Sequence, residues 1–243
     1  MPHYTPPLRD MQFVLHEVLG VADELKLLPR HQEIDRETID AVLEEAGKFA
    51  AGVLDPLNKP GDEEGSRWKD GAVTTPKGFK EAYRQYIHAG WNNILSPTDF
   101  GGQGLPHLVA TPVEEMWGAA NLAFKLCPML TQGAIEAIHH VGPDELRRRF
   151  LPKMVSGEWT GTMNLTEPQA GSDLSLVRTK ATPQPDGSYL LKGQKIFITY
   201  GEHDYTDNIV HLVLARIDGA PEGVKVLSLF TVPKFIPKPD GRH

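Results

Sequence analysis

MNLTEPQAGSD, residues 163–173, joins the end of an expected strand to a polar turn. Gly171 lets the backbone approach a ligand closely, because glycine has no side chain. Thr166 and Ser172 supply hydroxyls that can donate hydrogen bonds to the oxygens of a cofactor ring or to phosphate. The stretch is therefore a candidate for an uncharged cofactor cradle.

A second informative stretch, KGQKIFITYGEHD, covers residues 192–204. Its strand-like alternation predicts Ile196 and Ile198 on one face and Phe197 and Thr199 on the other. An aromatic ring and a hydroxyl would then project together. This pair could stack against a planar ring and hydrogen-bond to its edge.

The hydrophobic pattern changes from a helical period to short strand-like runs after Gly157. It predicts helices over residues 39–53, 75–87, 106–120, 128–141 and 143–155, with a loop over 55–72. It predicts strands over residues 159–165, 176–181, 189–192, 195–199, 209–216 and 226–232. Helices followed by strands indicate the α+β class. We expect a helical domain with an N-terminal extension over 1–157, and a small antiparallel β domain over 158–243.

Composition excludes several functional classes. The 243 residues carry 25 Lys and Arg against 32 Asp and Glu, a net charge of −7 without a dense basic stripe, so nucleic acid is not an expected partner. No run approaches the ~20 apolar residues that span a bilayer, and no leader pattern opens the chain. Cys127 is the single cysteine, which rules out an internal disulfide. We expect a soluble cytoplasmic protein without a metal site.

Several residues fit both a structural and a functional role. Thr, Ser and Gly at strand ends also occur in sheets that bind nothing. A group of apolar side chains fits either an acyl tunnel or ordinary helical packing: Trp117, Phe124, Met129 and Leu130. From the residues alone these alternatives stay open.

The two stretches together resemble the paired signature of the acyl-CoA dehydrogenase family. MNLTEPQAGSD precedes GQKIFIT with the family's order and spacing, and GPDELRRRFLPKMVSGEWTGT, residues 142–162, resembles the helix and strand that lead into it. The similarity runs from about Ile39 to the end of the chain. The opening segment and YGEHD, residues 200–204, resemble the larger bacterial members, including those acting on 3-methylmercaptopropionyl-CoA.

This resemblance implies a helical domain, a middle β domain and a C-terminal helical bundle, with FAD between the sheet and the bundle. We expect only the helical domain and the β domain in this chain. The β domain would be incomplete, and the bundle would be absent. By motif position, Ser172 would also lie near the acyl-CoA. The residues implied to contact the flavin are Met163, Leu165, Thr166, Gly171, Ser172, Phe197, Ile198 and Thr199. Three positions depart from the commonest pattern: Met163 replaces a frequent aromatic residue, Gln169 a usual Gly, and Phe197 a usual Trp.

The implied activity is α,β-desaturation of an acyl-CoA thioester with hydride transfer to FAD, in a homo-oligomer that passes electrons to an electron-transfer flavoprotein. In the family the base that removes the α proton is a glutamate of the C-terminal bundle. The resemblance therefore does not give this role to Glu167, Asp173 or Glu202. We therefore expect this chain alone to be inactive and to hold FAD weakly or not at all. Two alternatives stay open: a CoA-ester binding or assembly module without redox chemistry, and a flavin oxidase or monooxygenase.

Overall fold

The computed structural model describes residues 3–221 and 223–237. The helices are α1 (Leu8–Phe13), α2 (Val21–Lys26), α3 (Arg36–Phe49), α4 (Asp55–Glu64), α5 (Phe79–His88), α6 (His107–Val141) and α7 (Asp144–Val155). The strands are β1 (Arg67–Lys69), β2 (Ala72–Thr74), β3 (Trp159–Asn164), β4 (Lys180–Pro183), β5 (Tyr189–Lys192), β6 (Asn208–Ile217) and β7 (Leu227–Pro233). The predicted α+β class is confirmed.

The loop predicted over residues 55–72 is wrong. A π-helical turn, Ala50–Leu54, carries the chain from α3 directly into α4, and β1 and β2 then form an antiparallel hairpin. Glycine and proline suggested a loop, but Gly61 is buried where an added Cβ would collide with the ring of Phe79. Tertiary packing therefore overrides the low helix propensity of this segment.

The helices predicted over 106–120 and 128–141 form one helical span, α6, that is broken at Asn121. The backbone of Asn121 is non-helical, with φ −157° and ψ 88°. Its side-chain oxygen accepts a hydrogen bond from the N–H of Phe124 at 3.0 Å, and its Nδ2 donates to the carbonyl oxygen of Leu54 at 3.1 Å. An asparagine that caps a new helical segment explains why the second helix begins earlier than predicted.

The described residues divide into two compact units. The helical unit contains the described chain up to Pro128 together with Val155–Gly157 and His203–Tyr205. The sheet unit contains Met129–Met154, Glu158–Glu202 and the described residues from Thr206 onwards. The predicted domain boundary after residue 157 stays a prediction.

The helical unit has an aromatic core that includes Tyr205, the residue directly after the second informative stretch. Tyr205 is buried and stacks on Tyr83, with ring centroids 5.0 Å apart. Asp204 accepts hydrogen bonds from the N–H and hydroxyl of Thr75 through Oδ1. Cys127 is also buried in this unit, and burial raises the pKa of its thiol.

The sheet unit contains a mixed sheet rather than the wholly antiparallel one that we predicted. β6 runs parallel to β3 and, at its far end, parallel to β4, whereas β5 pairs with β4 and β7 pairs with β6 in antiparallel fashion. Parallel pairing needs a long crossover, and the segment between β3 and β6 provides one. The strand predicted over 176–181 begins only at Lys180, after a short 3₁₀ turn at Leu174–Leu176.

Gly161 fixes the packing of β3 against neighbouring helices, which allows a direct test. A Cβ added there would lie 2.6 Å from Ala134 Cβ and 2.8 Å from Met154 Cε. We expect Gly161→Ala to lower the free energy of unfolding by about 1–3 kcal/mol, as overpacking does. Urea unfolding measures this change. The control is Gly133→Ala on α6, where an added Cβ meets no atom within 4 Å and should not destabilise the chain. Equal effects of both substitutions would contradict the prediction.

Candidate functional site

The first stretch leaves β3 through a tight turn. The N–H of Glu167 donates to the carbonyl oxygen of Ala170 at 2.9 Å, and the N–H of Ala170 donates back at 3.0 Å. Gly171 and Ser172 follow this turn and are exposed, and a Cβ at Gly171 would meet no atom within 4 Å. The backbone at Gly171 is therefore open to a ligand.

The second stretch does not form the strand predicted over residues 195–199. Phe197 and Tyr200 take left-handed backbone conformations, with φ 57° and 52°. The N–H of Gly201 donates to the carbonyl oxygen of Ile198 at 3.1 Å and closes a turn. Strand alternation therefore does not place Phe197 and Thr199 on a common face. The local β propensity was a poor guide because hydrogen bonds to the first stretch fix this segment in another conformation.

The structure brings the two stretches together directly. The N–H of Ile196 donates to the carbonyl oxygen of Thr166 at 2.9 Å, and Lys195 Nζ donates to that of Leu165, also at 2.9 Å. Phe197 follows immediately, and this residue is 89% exposed. Leu165 and Thr166 are thus neighbours of the second stretch.

The other candidate residues lie at varying distances from this contact along the chain. Met163 is on β3, opposite Leu212 of β6, and is half-buried. Ile198 and Thr199 are half-buried in the turn that Gly201 closes. Gly171 and Ser172 lie beyond the tight turn, and the hydrogen bonds just described do not include them.

Glu167 is the centre of a buried polar network. Its side chain is 3% exposed and accepts hydrogen bonds from Lys195 Nζ at 2.8 Å and from the N–H groups of Arg178 and Thr179 at 2.8 and 3.0 Å. Gln169 Nε2 donates to it as well, at 2.6 Å. Burial alone would raise the pKa of Glu167, but the hydrogen bonds from Lys195 and from residues 178 and 179 outweigh it and lower this pKa to about 2.

The sequence analysis considered Glu167 and rejected it as the catalytic base, but it did not consider Lys195. The available signal was the acidic residue Glu167 in the first stretch and the basic residue Lys195 just before IFIT. Opposite charges next to apolar runs in paired stretches are candidates for a buried ion pair.

The other two carboxylates that we set aside also have structural partners. Asp173 accepts from the N–H of Ser175 at 2.9 Å, and Glu202 pairs with Lys234 at 2.7 Å. Within residues 3–221 and 223–237, no group of three or more His, Cys, Asp or Glu side chains could hold a metal ion. No helix of this described part is long and apolar enough to cross a membrane.

Two protein-family models match this chain. Residues 36–158 match the acyl-CoA dehydrogenase N-terminal domain, and residues 162–240 match the acyl-CoA dehydrogenase middle domain. The chain belongs to the acyl-CoA dehydrogenase family. The predicted resemblance is therefore confirmed.

Individual relatives agree with this assignment. The chain is 48% identical over 96% of its length to 3-methylmercaptopropionyl-CoA dehydrogenase of Ruegeria pomeroyi, and 40% identical over 98% to a butyryl-CoA dehydrogenase of Syntrophomonas wolfei. It covers 40% of each, so it spans about two fifths of the length of these relatives. The structure of an acyl-CoA dehydrogenase from Bacillus anthracis complexed with FAD matches with a TM-score of 0.66 and 22% identity, over 84% of this chain and 32% of that one. That likeness supports the fold.

The residues in this structure fit a planar flavin. Phe197 presents an exposed aromatic ring from a left-handed backbone conformation, which bulky residues adopt only where their surroundings fix it. Gly171 leaves open space for a close approach of the backbone. An exposed apolar ring and an open backbone suit a large, planar and largely uncharged ring system.

Proposed function

We propose that this chain forms the helical and flavin-facing parts of a flavin-dependent acyl-CoA dehydrogenase that desaturates an acyl-CoA thioester between its α and β carbons. One observation carries the proposal: the two family stretches lie side by side, joined by the Ile196–Thr166 and Lys195–Leu165 hydrogen bonds. Phe197, which directly follows these two bonded residues, is exposed.

Each candidate residue receives a role that its chemistry permits. Met163, Leu165 and Ile198 supply apolar contacts along the flavin. Thr166 and Thr199 supply hydroxyls that donate to the ring edge, and Phe197 covers part of the ring. Gly171 admits the cofactor close to the backbone, and Ser172 hydrogen-bonds to the cofactor or to the acyl-CoA. When bound, FAD supplies the acceptor for the hydride that leaves the β carbon.

The base that removes the α proton lies, in this proposal, outside the described residues. Glu167, Asp173 and Glu202 each have a partner that holds the carboxylate in a structural role. A base must instead reach the substrate proton within hydrogen-bonding distance. The complete reaction is therefore assigned to the whole protein.

The substrate and partners follow from the names of the relatives and the family resemblance. We propose a short acyl-CoA thioester, because the relatives cited above are dehydrogenases of 3-methylmercaptopropionyl-CoA and butyryl-CoA. An electron-transfer flavoprotein as electron acceptor, a homo-oligomeric assembly and a cytoplasmic location stay predictions.

Reduction of the flavin by thioesters tests this function. We expect the protein expressed from its complete gene, reconstituted with FAD, to lose its flavin absorbance under anaerobic conditions when short acyl-CoAs are added, because the β-carbon hydride reduces the flavin. The panel contains butyryl-CoA and 3-methylmercaptopropionyl-CoA. Free CoA is the control. No bleaching by any thioester would contradict the proposal, and turnover that requires oxygen would favour an oxidase or monooxygenase.

Thr199 provides a residue-level test. Thr199→Val keeps the shape of the side chain but removes the hydroxyl, so we expect a loss of about 1 kcal/mol in flavin interaction. FAD titration and the flavin reduction potential measure it. Thr182→Val, on β4 and exposed, is the matched control. Unchanged affinity and potential in Thr199→Val would contradict the assignment.

A further inference from the structure

Two consecutive residues of the second stretch hold two consecutive carbonyls of the first. Lys195 Nζ binds the carbonyl oxygen of Leu165, and the N–H of Ile196 binds that of Thr166. Leu165 and Thr166 are residues to which the proposed function assigns flavin contacts. A shift of either stretch by one residue would break both bonds, so this double contact fixes their register.

The side chain of Lys195 is held in place by a buried ion pair. It is 8% exposed, and its second partner is the carboxylate of Glu167, which is 3% exposed. That carboxylate also accepts from the N–H groups of Arg178 and Thr179, next to the start of β4. Among the described residues, Lys195 is the titratable side chain that contacts Glu167. A buried pair with its hydrogen bonds satisfied favours one specific arrangement, since any other leaves a charge unpaired.

Gln169 adds a connection that a glycine could not provide. It stands where the family usually has Gly, and its Nε2 donates to Glu167 Oε2 at 2.6 Å and to the carbonyl oxygen of Leu176 at 3.2 Å. It therefore ties the carboxylate to the 3₁₀ turn that follows the first stretch.

The segment that this network fixes is in an unfavourable conformation. Phe197 follows the Lys195–Ile196 contact directly, and it combines a left-handed backbone with an exposed ring. An aromatic residue keeps this conformation only when its neighbours determine it. Lys195 and Ile196 supply that constraint on its N-terminal side.

We propose that Glu167, Lys195 and Gln169 are positioning residues that hold the two flavin-facing stretches in register and thereby set the geometry of the flavin surface. The inference rests on the proposed function, which gives these stretches their ligand. It assigns the three side chains no contact with flavin or substrate.

The test separates positioning from stability with a single and a double variant. Lys195→Met removes the donor to Leu165 and leaves the Glu167 carboxylate buried without its ammonium partner. Adding Glu167→Gln removes that unpaired charge, so the double variant recovers thermal stability but still lacks the donor to Leu165. Gln169→Gly restores the common family residue, and Lys153→Met removes a surface ion pair of the same unit as a control.

FAD affinity by fluorescence titration, visible circular dichroism of bound FAD and thermal unfolding are measured in the protein expressed from its complete gene. We expect Lys195→Met and the double variant to weaken FAD binding about tenfold, or about 1.4 kcal/mol, and to alter the dichroism. Gln169→Gly should weaken binding about threefold, and Lys153→Met should match the wild type. A double variant with wild-type affinity and dichroism would overturn the inference.

Hydrogen exchange tests this inference independently of the proposed function. A wild-type protein that binds no FAD would contradict the proposed function, and amide exchange in residues 165–167 and 195–199 would then decide the inference. Faster exchange in both stretches of Lys195→Met and of the double variant supports it. Unchanged protection of the Ile196 amide in either variant overturns it.

Discussion

Acid will weaken the sheet unit because Glu167 must take up a proton. The pKa of Glu167 is lowered from 4.5 to about 2 by hydrogen bonds that outweigh the effect of burial. Its contribution to stability is therefore fully present above pH 4.5 and is lost as the pH falls towards 2. A pKa difference of this size corresponds to about 3 kcal/mol. We expect the free energy of unfolding to fall by about that amount across this range through Glu167 alone.

Comparison with Glu167→Gln isolates this effect from other carboxylates. At pH 7 the variant should be less stable by about 3–5 kcal/mol, because it leaves Lys195 buried without its partner. The difference between the two proteins should narrow as the pH falls from 5 to 2. Urea unfolding at each pH measures it, and Glu145→Gln, an exposed position of the same unit, is the control. A difference that stays constant down to pH 2 would show that Glu167 is not the responsible group.

Local periodicity was enough to predict the elements whose packing follows their own sequence. α3 begins after Asp35, which accepts from the N–H of Thr38 at 2.8 Å, and buries Ile39 and Leu43 on the face that the 3.6-residue period indicated. β5 was predicted with the observed bounds. In both cases the pattern and the tertiary environment agree.

The predictions failed where distant residues decide the local conformation. The segment 195–199 alternates like a strand, yet Lys195 and Ile196 bond to Leu165 and Thr166 and the chain then turns. The parallel pairing of β3 with β6 likewise joins segments far apart in sequence. Neither partner choice is visible in a short window of sequence.

At the candidate site, too, the local sequence was informative and the distant contacts were not predicted. Motif resemblance identified which stretches to examine, but the Glu167–Lys195 pair that joins them depends on a fold that brings residues 28 positions apart into contact. His203 and Asp204, the last two residues of the second stretch, belong with Tyr205 to the helical unit. A motif therefore indicates a ligand-binding region, but it does not show which of its residues bind the ligand and which stabilise the structure.

Phe124→Ala should lower the free energy of unfolding of the helical unit by about 3–5 kcal/mol. The sequence left open whether Phe124 lines an acyl tunnel or packs in the core, and the structure places it at 1% exposure. Its ring lies 5.8 Å from Tyr86 in an edge-on arrangement and 6.4 Å from Phe79. Truncation would remove these contacts and leave a cavity that rigid aromatic neighbours cannot fill.

Tryptophan fluorescence reports this change, because Trp117, one of the four tryptophans, lies 5.2 Å from the ring of Tyr86 within the same unit. Leu122→Ala is the matched control, since Leu122 is close to Phe124 on α6 but 57% exposed. We expect it to change stability by no more than about 0.5 kcal/mol. Similar losses in both variants would show that Phe124 is not a core residue. A large loss in Phe124→Ala alone would assign it to the core, because an open tunnel already lacks the contacts that truncation removes.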